Sequence, residues 1–106
     1  METLTITTLT SHCQAYDIDF PLHPNTRSAD AVGALVTGQL VAISAAVANH
    51  KGLSDGDILQ ALAMTLAIRA RLAGSTAESM QTMVHGLFDS AYTAALASAP
   101  TLTGHA

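Results

Sequence analysis

A histidine and a carboxylate spaced for mutual contact are the residues of this sequence closest to catalytic chemistry. His85 and Asp89 are four residues apart, so on a helix they share a face and the carboxylate orients the imidazole. This arrangement is the orienting half of a hydrolase triad. It lacks a nucleophile, because the sequence contains no GxSxG motif, and a surface ion pair explains the same spacing. A hydrolase-type enzyme using His85 and Asp89 is therefore an alternative, and we lean towards a protein that is not an enzyme.

A second polar group lies in the N-terminal segment. Asp17, Asp19 and His23 alternate with apolar residues, and in an extended chain they project from one face with the two carboxylates about 7 Å apart. Such a face can bind a cation, with His12 and Cys13 as nearby soft ligands. The spacing matches no established metal loop, and a solvated strand face accounts for it as well. We therefore expect no metal and no cofactor, and Asp17, Asp19 and His23 remain the candidate metal ligands.

Three polar residues interrupt helical patterns that are otherwise apolar. Gln39 and His50 fall on the apolar face of the first predicted helix, and Arg69 falls on the apolar side of the second. A buried polar side chain needs hydrogen-bond partners. Gln39 can therefore set the register of a symmetric interface. Alternatively, Gln39, His50 and Arg69 guard an apolar cavity between helices, which would make the protein a small-molecule binder.

Two hydrophobic periodicities predict the elements that position these residues. Residues 1–26 alternate between apolar and polar types, which predicts an extended segment or a short β-hairpin with its loop near residues 11–15. From residue 27 to residue 99 the period is helical. It predicts three helices over about 28–49, 54–72 and 75–98, with N-caps at Ser28, Ser54 and Ser75. Residues 100–106 are expected to be a frayed tail.

The first predicted helix carries no charged residue between Asp30 and Lys51. Its back is made of small or apolar residues, namely Ala34, Gly38, Val41 and Ala45. A helix that is apolar all round must be buried all round, yet each helix of a three-helix bundle has only two neighbours. The sequence therefore predicts a mainly α protein, a three-helix antiparallel bundle assembled as a two-fold dimer, with these four residues at the interface.

Composition limits the classes of partner. The 106 residues are 49% hydrophobic and only 11% charged, with a net charge of −4 and no basic cluster, which excludes a disordered chain and a basic nucleic-acid binder. Residues 31–50 are long enough to span a membrane, but the polar residues among them and the missing basic flank argue against a span. The single cysteine and the lack of a signal-peptide pattern predict a cytoplasmic protein.

The leading hypothesis for function follows from what the polar residues are used for. Most charged residues fall at predicted helix ends, where they complement the helix dipole, so few remain for chemistry. We therefore expect a non-catalytic homodimeric protein that acts through protein–protein contacts, in a regulatory or accessory role. Its expected partner is a second copy of itself, with another protein as a further option, and we expect it to bind no nucleic acid and no membrane.

Overall fold

The N-terminal segment of the chain folds as a β-hairpin and is followed by three helices. The computed structural model describes residues 2–9, 14–98 and 100–102. Its elements, in chain order, are β1 (Thr3–Leu9), β2 (Gln14–Pro21), α1 (Ala29–Asn49), α2 (Asp55–Leu72), α3 (Ala77–Ala97) and β3 (Pro100–Leu102). The prediction of a mainly helical protein with three helices behind an N-terminal hairpin is confirmed.

The period-2 pattern of the N-terminal segment sets the register of the hairpin. β1 and β2 are antiparallel, with Leu4 opposite Phe20 and Ile6 opposite Ile18. These four apolar residues occupy alternate positions, so they share one face of the sheet. Ile6 is only 7% exposed, and Leu22, directly after β2, is 9% exposed. They are the buried hydrophobic residues of the described part of the chain.

A third strand extends this sheet, in the order β1–β2–β3. Residues 100–102, which the sequence predicts to fray, pair antiparallel with the first residues of β2, so that Tyr16 lies opposite Pro100. A proline is tolerated at the first position of a strand, where its missing N–H costs no ladder bond. Pro21 occupies the opposite end of β2, across from Thr3, and β2 ends there as a proline requires.

The chain divides into two compact units, Met1–Ala34 with Gly86–Ala106, and Leu35–His85. The first unit contains the sheet and the start of α1. There the backbone passes close to Leu4, since a Cβ added to Gly33 would lie 3.4 Å from the Leu4 Cδ1 atom. The second unit contains the rest of α1, all of α2 and the first part of α3.

The starts of the first two helices are capped as the sequence predicts. The backbone N–H of Ala31 donates to the Ser28 Oγ atom at 3.1 Å. At the start of α2, the Asp57 N–H donates to the Ser54 Oγ at 3.1 Å, and the Ser54 N–H donates to the Asp57 carboxylate at 3.1 Å. This reciprocal capping box satisfies backbone donors that the helix itself leaves free.

The cap of α3 differs from the prediction by one residue. The sequence predicts Ser75 as the N-cap, but the Thr76 Oγ1 accepts from the Ser79 N–H at 3.2 Å, and the Met80 N–H donates to the Thr76 carbonyl. Thr76 is therefore the N-cap, and the Ser75 assignment is wrong. Serine and threonine both accept well at an N-cap, so two adjacent hydroxyl residues leave the sequence ambiguous by one position.

Candidate functional site

The helices expose most of their apolar side chains. No described residue of α1, α2 or α3 is buried. Leu35 on α1, Leu59 and Leu72 on α2, and Leu96 on α3 are each between 65% and 68% exposed. Exposed large apolar side chains therefore occur on all three helices.

The predicted interface residues lie on the more exposed side of α1. We call Ala34, Gly38, Val41 and Ala45 the α1 stripe. All four are exposed, Val41 to 64%, and a Cβ added to Gly38 would meet no atom within 4 Å. The half-buried residues of the same helix are Ala29, Gly33, Val36, Ile43 and Ala46. The four residues of the α1 stripe are thus uncharged and exposed.

By length and composition, α1 also passes the criteria for a membrane-spanning helix. A core helix of a soluble protein can pass the same criteria, but core helices are mostly buried, and no residue of α1 is buried. In its exposure, α1 therefore differs from a typical core helix of a soluble protein.

An open groove lies between α2 and α3 within the second unit and has a volume of about 380 Å³. We call it the α2–α3 groove. Its lining is mainly apolar, and its polar members include no acidic residue. The apolar lining residues are Ala63, Leu66, Ala67, Ala70, Ala77, Met80 and Val84, and the polar ones are Arg71, Ser75, Gln81 and His85.

The polar residues of the groove are spread along its length. Arg71 and Ser75 belong to the connection where α2 ends and α3 begins, whereas His85 lies more than two turns along α3. At 1.5 Å per residue, about 12 Å of helix separates Ala77 from His85. A catalytic hydrogen bond needs about 2.6–3.2 Å between its heavy atoms. Ser75 therefore does not supply a nucleophile to His85.

The predicted catalytic pair is only partly associated with this groove. His85 lines the groove and is exposed, and Asp89, one helical turn further along α3, is also exposed. Exposed charged groups contribute little to each other's orientation, because water screens them. A hydrolase that uses His85 and Asp89 therefore stays a prediction, and the exposure of both residues gives it no support.

The predicted ligand-binding residues lie elsewhere. Gln39, His50 and Arg69 are all exposed, and none of them lines the α2–α3 groove. The groove has Arg71 as its cation. Sequence reasoning missed this residue as a ligand contact because it explained Arg71 by its place near the end of the second predicted helix, where a cation complements the helix dipole. A row of alanines at helical spacing precedes Arg71, namely Ala63, Ala67 and Ala70, and that row was the available signal.

The two carboxylates of the predicted metal face are hydrogen-bonded across the hairpin. The Thr5 hydroxyl donates to the Asp19 carboxylate at 2.5 Å, and the Thr7 hydroxyl donates to the Asp17 carboxylate at 2.6 Å. These are directly opposed cross-strand pairs, which are the unit of stabilisation in a sheet. The polar face of the hairpin is therefore a ladder of threonine–aspartate pairs.

The third candidate ligand, His23, also has a local partner. Its Nδ1 atom accepts from the Asn25 backbone N–H at 3.0 Å, which leaves the Nε2 atom as its other possible ligand atom. Among residues 2–9, 14–98 and 100–102, no group of three or more His, Cys, Asp or Glu side chains is placed to hold a metal ion. His12 and Cys13, the proposed additional ligands, lie outside the described residues.

Two surfaces of the described chain are thus available for binding. The α1 stripe is small-residue, apolar and uncharged, while the α2–α3 groove is apolar with a guanidinium at the helix connection. Comparison of the chain with protein-family models, with curated proteins and with solved structures finds no match.

Proposed function

We propose that this chain is a non-catalytic homodimeric protein that acts through protein–protein contacts, and that the α1 stripe forms its two-fold interface. The observation that carries the proposal is the exposure of α1. This helix has no charged residue between Asp30 and Lys51, yet none of its residues is buried. An uncharged helix of this length is stable in water only if another apolar surface covers it.

Large apolar side chains of α1 beyond the stripe are also exposed, among them Leu35 at 66% and Leu40 at 39%. Covering apolar surface stabilises by about 25 cal/mol per Å², so a second copy that covers this helix contributes favourable free energy to association.

The residue types of the α1 stripe favour a second copy as the cover. Alanine and glycine let two helix backbones approach closely, and in a two-fold interface each residue meets its own copy or a near neighbour. Gly38 is the least bulky point of the stripe, with open space where its Cβ would be. Two such stripes pack with no charge to bury and with Val41 as their largest side chain.

A non-catalytic role is supported by how the polar residues are used. Ser28, Ser54 and Asp57 serve as helix caps, and Asp17 and Asp19 accept hydrogen bonds from threonines. These five polar residues are thus used in structural hydrogen bonds. The single cysteine of the sequence suits a reducing compartment, and we propose a cytoplasmic location on that ground.

Light scattering after size exclusion tests the proposal. We expect about twice the 10.9 kDa chain mass at micromolar concentration. Gly38→Glu places an unpaired charge in the contact, which costs several kcal/mol, so this variant should be monomeric and should melt at a lower temperature. Gly86→Glu is the matched control, because Gly86 is also a helical glycine with open space at its Cβ position, and it should remain dimeric.

Two results would contradict the dimer. One is a monomer for the unmodified chain across the micromolar range. The other is equal dissociation by Gly38→Glu and Gly86→Glu, which would show that the α1 stripe is not the interface.

A second candidate function is supported by a separate observation. The α2–α3 groove, with a volume of about 380 Å³ and a mainly apolar lining, falls within the usual size range of small-molecule sites. The protein would then bind a small apolar ligand between two of its helices.

A further inference from the structure

We propose that the α2–α3 groove binds an amphiphilic monocarboxylate of the medium-chain fatty-acid class. The acyl chain lies along the apolar lining, and the carboxylate pairs with the Arg71 guanidinium. This inference rests on the second candidate function above and is independent of the dimer, since it involves α2 and α3 and not the α1 stripe.

The lining of the groove suits an acyl chain. Four of its residues are alanines, which leave room beside the helix backbones, and Leu66, Met80 and Val84 supply larger apolar contacts. Along α2 the lining runs from Ala63 to Arg71, a distance of about 12 Å at 1.5 Å per residue. An apolar lining of this length accommodates an extended, unbranched hydrocarbon chain.

The charge of the groove selects an anionic head group. Arg71 lines the groove, and no aspartate or glutamate does. Its planar guanidinium presents a fork of N–H donors that matches a carboxylate in a bidentate pair. Ser75 and Ala77 line the same end of the groove at the start of α3, where the helix dipole is positive and adds to the attraction for an anion.

Isothermal titration of decanoate, kept below its micelle-forming concentration, tests the head-group contact on the full chain. We expect Arg71→Gln to weaken decanoate binding about tenfold, the effect of losing one charge-assisted pair. Arg69→Gln removes the same charge two residues away on the same helix, but Arg69 does not line the groove, so it should leave binding unchanged. Decanol, which has no carboxylate, should bind equally to the unmodified chain and to Arg71→Gln.

Filling the groove tests the acyl contact. Ala67→Phe should abolish binding of both decanoate and decanol, because the ring occupies the groove. Ala61→Phe is the control, since Ala61 lies on the same helix outside the lining, and it should retain binding. Circular dichroism of each variant confirms that the helices are intact before titration.

Several outcomes would overturn the inference. They are no decanoate binding to the unmodified chain, equal weakening by Arg69→Gln and Arg71→Gln, or binding that survives Ala67→Phe. Light scattering on the same samples separates the two proposals. A monomer that still binds decanoate with the expected variant pattern would refute the dimer and retain the ligand, and a dimer without decanoate binding would do the reverse.

Discussion

The backbone N–H of Ser79 donates to the hydroxyl of Thr76 at 3.2 Å, which makes Thr76 the residue that begins α3. Thr76→Ala removes this acceptor and should lower the free energy of unfolding by about 1 kcal/mol. Ser75→Ala, one residue earlier, removes no capping acceptor and should change stability by less than about 0.5 kcal/mol. Urea denaturation followed by circular dichroism measures the free energy of unfolding of both variants. A larger loss of stability for Ser75→Ala than for Thr76→Ala would show that Ser75, and not Thr76, caps α3.

Replacing each of two glycines by alanine should change the free energy of unfolding in opposite directions. Gly86 lies inside α3 with nothing within 4 Å of its Cβ position, so Gly86→Ala should raise the free energy of unfolding by up to about 1 kcal/mol through helix propensity. Gly74 has a φ of +81°, where an added Cβ is strained, so Gly74→Ala should lower it by about 1 kcal/mol. Thermal melts at one fixed protein concentration compare the pair, and a shift of the same sign for both variants would contradict the assignment.

The stability of the hairpin should depend more on the buried side chain of Ile6 than on the hydrogen bonds of its polar face. Ile6 is 7% exposed, so Ile6→Ala should cost about 2–5 kcal/mol and Ile6→Val about 0.5–1.5 kcal/mol. Thr5→Ala, on the neighbouring exposed position, removes one exposed hydrogen bond and should cost less than Ile6→Ala. Hydrogen exchange of the β1 and β2 amides reports this locally, and similar losses for Thr5→Ala and Ile6→Ala would show that Ile6 is not a core residue.

Generic DNA and RNA should not bind. The net charge is −4 and the sequence has only four lysines and arginines, too few to neutralise a run of phosphates. Fluorescence anisotropy with a labelled oligonucleotide at about 150 mM salt should show no binding at micromolar protein. A salt-dependent micromolar affinity would refute this prediction.

Local patterns in the sequence were sufficient for the N-terminal hairpin and the three helices of this fold, although not for β3. The alternation of Leu4 and Ile6 with threonines, and of Ile18 and Phe20 with aspartates, predicted the hairpin that the structure contains. The Ser54 capping box was predicted from a four-residue spacing alone. Periodicity and caps depend on residues within one or two turns of each other, so they can be read without knowing the rest of the chain.

The tertiary structure decided which residues share a surface. β3 pairs with a strand more than eighty positions earlier in the chain, a contact for which no local pattern exists. Arg71 lines the groove and Arg69 does not, because the alanine face of α2 forms the groove rather than the face with the largest apolar side chains. The volume between two helices depends on their mutual placement, and a helical wheel of either helix contains no information about that placement.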